Sequence, residues 1–294
     1  MSSVSERLTE LAPSDQSFVG YMFWLSRPRF WLYLAGPVAV GVVYAAASPA
    51  DFFRPLPVAL FLWFLIPGNV FLYGVNDIYD VDLDSENPKK GEGGREVQYS
   101  GDGIVVTAIF LASATGIFFA PYLPVAGLIA LGGFYVLGAQ YSAPPFRFKT
   151  TPFLDSVSNG LYLLPGIVGY AAVAGTAPPL LAIAGGWLWT MGMHTFSAIP
   201  DIEPDRAAGI RTTATVLGPG WTLVYCGLTW LGAALLMGLL HPALGGVFLA
   251  YPLLTVAFAR SSVDIDRAYW WFPVINTLAG MVLTMAGIWV VVSG

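Results

Sequence analysis

Residues 56–75 read LPVALFLWFLIPGNVFLYGV, and the chain then continues as Asn76-Asp77-Ile78-Tyr79-Asp80-Val81-Asp82-Leu83-Asp84. Twenty residues without a charge are long enough to cross a bilayer as a helix, and the aspartates at positions 77, 80, 82 and 84 follow directly at its end. Carboxylates at a membrane boundary are costly unless something neutralises them. The chain repeats the arrangement: a second apolar stretch ends in Asp201-Ile202-Glu203-Pro204-Asp205.

Working outward, the rest of the chain is of the same kind. Of its 294 residues 56% are hydrophobic and 11% charged, against about 25% charged in a soluble domain. Nine apolar segments fall near 29–48, 56–75, 104–120, 122–141, 153–174, 179–199, 220–240, 243–260 and 271–292. The expectation is an all-α polytopic membrane protein. It would have a polar N-terminal tail over 1–20 and a single nine-helix domain over 21–294, with the long Gly-rich, charged loop near 85–103 as a lid. With nine spans, twelve of the thirteen Lys and Arg fall on the N-terminal side of the membrane, and only Arg54 falls opposite. The positive-inside rule makes that side cytoplasmic, so both acidic clusters face the cytoplasm and the C-terminus lies across the membrane. The lone Cys226 excludes an intrachain disulfide, and no basic footprint for nucleic acid is present.

The clusters carry the chemistry. On a helix Asn76, Asp77, Asp80 and Asp84 share one face. The three carboxylates on that face would destabilise a bare helix, and magnesium relieves the repulsion. It takes oxygen ligands and is commonly held by one or two carboxylates plus substrate phosphates. Asp201 and Asp205 repeat the four-residue spacing, although Pro200 and Pro204 argue against a regular helix there. Two clusters point to a pair of metal sites around a diphosphate. Asp77, Asp80, Asp84, Asp201 and Asp205 are the candidate metal ligands. Arg147, Lys149, Arg206 and Arg211 are placed for the phosphates, with Asn76 beside them. Asp77, Asp80, Asp201 and Tyr141 form the candidate catalytic set, and Asn69, Tyr73 and His194 are candidates for lining an apolar, aromatic cavity. Each has a plainer alternative: topology signals for Arg147 and Lys149, helix-to-helix glue for Asn69, a packed histidine for His194.

These motifs resemble those of the UbiA superfamily of intramembrane prenyltransferases. The family pattern Asn-Asp-x-x-Asp-x-x-x-Asp matches Asn76, Asp77, Asp80 and Asp84. Its Asp-x-x-x-Asp pattern matches Asp201 and Asp205 and continues into Arg206 and Gly209, and residues 141–149 (YSAPPFRFK) are also similar. The resemblance implies nine helices around a central cavity and magnesium-dependent transfer of a prenyl group from its diphosphate to a lipophilic acceptor. Residues 26–31 (SRPRFW), 73–77 (YGVND) and 87–90 (NPKK) are similar to the lycopene elongases of C50 carotenoid synthesis. That implies dimethylallyl diphosphate as donor and lycopene as acceptor, with hydration or proton loss ending the reaction. An aromatic-acceptor prenyltransferase of quinone, heme or chlorophyll synthesis is the alternative within the class. An ion-coupled transporter is the alternative outside it, disfavoured because transport carboxylates tend to lie near the bilayer midplane.

Overall fold

The computed structural model describes residues 17–80, 101–260 and 265–293, with backbone alone for 265–270. Asp84, the expected lid over 81–100 and most of the expected tail lie outside the described residues. Thirteen α-helices are present among the described residues: α1 (Phe18–Leu25), α2 (Trp31–Ala45), α3 (Pro55–Leu65), α4 (Pro67–Tyr79), α5 (Gly103–Ile117), α6 (Val125–Ser142), α7 (Leu154–Val157), α8 (Leu164–Ala174), α9 (Leu180–Ser197), α10 (Ile202–Ala207), α11 (Thr213–Leu240), α12 (Pro242–Arg260) and α13 (Ile265–Ser293). Helix α1 starts inside the expected tail because Ser17 caps it, its hydroxyl accepting the Gly20 N–H at 3.0 Å.

All nine expected spans are occupied by helical segments. Seven are long and apolar enough to cross a membrane. The other two are α2, which has 15 residues, and α9, whose 18 residues include His194. Two spans are broken within the membrane. The second divides into α3 and α4 at Ile66, where Pro67 cannot supply an N–H to continue the ladder. Asn69 compensates by donating its amide to the carbonyls of Phe64 and Leu65 at 2.8 and 3.0 Å. The fifth passes from α7 through a 3-10 turn, Ser158–Tyr162, into α8.

Two of the apolar clusters among the described residues are the largest. One gathers Leu34, Val38, Trp63, Phe64, Phe134 and Val168 from α2, α3, α6 and α8. The other gathers Phe196, Trp230, Tyr251 and Phe272 from α9 and α11–α13. Helix α13 packs back on α2 and closes the ring. There the Asn276 side chain accepts from the Tyr251 hydroxyl at 3.0 Å and donates to that of Tyr33 at 3.1 Å. The tightest approach is between α2 and α8: a β-carbon on Gly41 would collide with the backbone at Gly166 and Tyr170. Small residues let membrane helices pack this closely, since lipid offers no hydrophobic force to press them together.

Candidate active site

The first cluster sits at the end of α4. Asp77 lies in its last turn and Asp80 is its C-cap, and both are buried, at 2% and 5% exposure. Asn76 donates its amide to Asp80 Oδ2 at 2.8 Å and to the Ser142 hydroxyl at 2.7 Å, which ties α4 to the end of α6. Buried carboxylates require compensation, and here it comes from two basic turns. Arg27, between α1 and α2, reaches Asp77 Oδ1 at 3.1 Å and lies over the Tyr73 ring at 4.4 Å. Arg147, after α6, reaches Asp80 at 3.4 Å and the Tyr79 carbonyl at 3.1 Å, and Lys149 pairs with Asp80 as well.

These basic turns are built alike. Arg27 and Arg147 both adopt the left-handed conformation, with φ of 50° and 45°, and each leads into a 3-10 turn that carries a second cation, Arg29 or Lys149. A non-Gly residue held there costs about 1–2 kcal/mol, a kind of strain that clusters at functional sites. Spacing alone gave no reason to choose Arg27 from among the topology-setting charges, yet it is a cation paired with Asp77. Among the described residues the buried Arg147 Nε has no hydrogen-bond partner, a donor that suits an anion. The expected cavity residue Tyr73 is buried under Arg27, whereas the nearby Tyr79 turns outward at 46% exposure.

The second cluster departs from the expectation of an irregular segment. Residues Ile202–Ala207 form α10, with the Asp205 N–H donating to the Asp201 carbonyl at 2.8 Å. Pro204 is tolerated because it lies in the first turn, where no earlier carbonyl awaits its N–H. Asp201 and Asp205 are therefore one helical turn apart. Arg206 is held locally, by Glu203 at 3.1 Å and by the Thr215 carbonyl at 2.8 Å, and Arg211 is exposed. Asn69 is fully buried and its amide serves the break in its own span.

Between the clusters lies a polar strip. The Tyr141 hydroxyl and His194 Nε2 are 3.2 Å apart and the rings meet edge to face, with centroids 5.7 Å apart. Tyr141 is within electrostatic reach of Asp80 and Asp155, and His194 within reach of Asp155 and Asp201. Asp155, which spacing gave no reason to select, is fully buried. Its carboxylate accepts the Thr213 backbone N–H at 2.9 Å and the Thr213 hydroxyl. Those bonds fix the start of α11, just beyond the second cluster, to the short helix α7.

The donor set suits a hard divalent ion. Among the described residues no three His, Cys, Asp or Glu side chains gather into a metal-binding group. Carboxylates paired one helical turn or less apart, with phosphates completing the shell, are the usual arrangement for magnesium.

The model of the UbiA prenyltransferase family matches residues 34–271. The chain belongs to the UbiA prenyltransferase family. Within it, a lycopene elongase/hydratase of Haloarcula japonica is 57% identical, over 99% of this chain and 98% of that one. One of Halobacterium salinarum is 55% identical, over 93% and 99%. A solved UbiA homolog from Archaeoglobus fulgidus, bound to DMAPP and Mg2+, superposes with a TM-score of 0.70 at 22% identity, covering 91% of this chain and 98% of that one. The UbiA fold accounts for all nine expected spans, and membership of a prenyltransferase family sets the transporter alternative aside.

Proposed function

We propose that the protein transfers a dimethylallyl group from its diphosphate to an acyclic end of lycopene, and that it holds two magnesium ions in doing so. The observation that carries this is the near full-length likeness to lycopene elongase/hydratases. The Mg2+ and DMAPP in the Archaeoglobus fulgidus relative support the donor and the metal. Asp77 and Asp80 hold one ion, helped by Asp84, and Asp201 and Asp205 hold the other. When bound, magnesium neutralises the diphosphate as a leaving group.

The chain's own residues do the rest. Arg147 and Lys149 take the phosphate oxygens, aided by Arg27 as it exchanges Asp77 for the ligand, and by Arg206 and Arg211 from the second cluster. The Tyr73 and Tyr141 rings border the allylic cation and stabilise it through their faces. Apolar walls exclude the water that would quench it early. The terminal double bond of lycopene attacks, the new C–C bond forms, and a tertiary cation is left on the neighbouring carbon. The distribution of Lys and Arg supports a site on the cytoplasmic face, on the same side as the N-terminus.

Acceptor competition tests the assignment. Membranes containing the protein receive magnesium and dimethylallyl diphosphate, with lycopene and 4-hydroxybenzoate together. Mass spectrometry should find lycopene heavier by one or two C5 units. A prenylated ring with untouched lycopene would replace the elongase reading with that of an aromatic prenyltransferase.

A further inference from the structure

The tertiary cation that ends C–C bond formation must lose a proton or gain water, and water capture requires a base inside the bundle. Resting on the elongase reading above, we infer that Tyr141 and His194 form a proton relay that directs this cation to the hydroxylated product. The oxygen of a water molecule bonds to the cationic carbon. One of its O–H bonds breaks, and the proton goes to the Tyr141 oxygen as the Tyr141 proton passes to His194 Nε2. The products are a tertiary alcohol and an imidazolium, which returns its proton to solvent after turnover.

Three observations carry the assignment. The pair is already in contact at 3.2 Å, the separation a proton transfer needs. Both side chains are only half-buried, so a water-sized molecule reaches them, although each belongs to an apolar helix. Carboxylates lie near the pair: Asp155 and Asp201 are within electrostatic reach of His194, and Asp80 and Asp155 of Tyr141.

The other nearby groups are poorly suited. Thr195 donates to Ser156 at 2.7 Å, and Ser156 bonds Tyr225 at 3.0 Å, so these hydroxyls are committed to one another and are weak bases. Asp155 is occupied by both Thr213 donors, and Asp77 and Asp80 by cations. A neutral imidazole offers a ring nitrogen that accepts a proton, which these committed hydroxyls do not. The only other histidine, His241, ends α11 and accepts the Ala243 N–H at 3.2 Å. The number of spans between them places His241 across the membrane from the carboxylates.

The test measures two quantities in one reaction on the full-length protein in membranes: released diphosphate, and the ratio of hydroxylated to olefinic product formed from lycopene. His194→Gln keeps a hydrogen-bonding side chain but takes no proton, and Tyr141→Phe keeps the ring but removes the relay oxygen. Each should lower the hydroxyl-to-olefin ratio at least about tenfold, measured per diphosphate released. Proton loss to the departing diphosphate then becomes the default exit. An unchanged ratio in either variant overturns the relay. So does a variant that releases no diphosphate, because the pair would then belong to ionisation. If the parent protein adds no C5 unit to lycopene, the elongase reading itself fails, and that control separates the two failures.

Discussion

Arg27 and Asp77 are fifty residues apart in the chain, and their side chains meet at 3.1 Å, with the guanidinium of Arg27 lying over the Tyr73 ring. The cation neutralises a carboxylate that is almost wholly buried. Removing one partner of a buried pair leaves the other uncompensated, at a cost of about 3–5 kcal/mol. Magnesium on the same carboxylate would offset that cost. Arg27→Ala should therefore lower the melting temperature strongly in EDTA and much less in saturating magnesium. Equal losses under both conditions would mean that Asp77 does not bind the ion.

Asp155 makes a comparable tie in the second half of the bundle. Asp155→Asn keeps one acceptor oxygen and removes the charge that the Thr213 N–H and hydroxyl share. A loss of about 1–3 kcal/mol is expected, with weaker magnesium dependence because the segment carrying Asp201 and Asp205 leads into Thr213. Thermal unfolding in detergent, repeated across a magnesium titration, checks both parts.

The loop between α2 and α3 gives a pH dependence. The Asp51 carboxylate accepts the backbone N–H groups of Ser48 and Ala47, and these bonds, Ser48 foremost, hold its pKa below the ordinary 3.8. A group with a depressed folded pKa contributes stability that is complete above the unfolded value and is lost as pH falls through the folded one. The capping contribution should be intact at pH 5 and above, and should decline below about 3.8. Comparing the acid limb of unfolding for the parent and Asp51→Ala isolates it, since the variant lacks that component.

Much of this was legible in the sequence, and the remainder was hidden for identifiable physical reasons. Hydropathy located the spans because the bilayer allows few alternatives to an apolar helix. It did not reveal the break at Ile66, which depends on Pro67 and on Asn69 satisfying the exposed carbonyls. Asp77, Asp80, Asp201 and Asp205 stood out by their spacing. Arg27 did not, because a basic residue before a span reads as a topology signal until packing sets it over Tyr73. Asp155 is a single acid with no periodic partner, and its contact Thr213 lies 58 residues away. Tyr141 and His194 were each selected as candidates, but only the packing of α6 near α9 brings them together.

If the two carboxylate clusters act together on one diphosphate, neither can be lost without losing its release. That joint action is tested most directly by measuring diphosphate release from dimethylallyl diphosphate, with lycopene and saturating magnesium, for the parent, Asp77→Ala and Asp201→Ala at matched amounts of folded protein. The account predicts that each substitution alone lowers release about 100-fold or more. Release within a few-fold of the parent in either variant would contradict it.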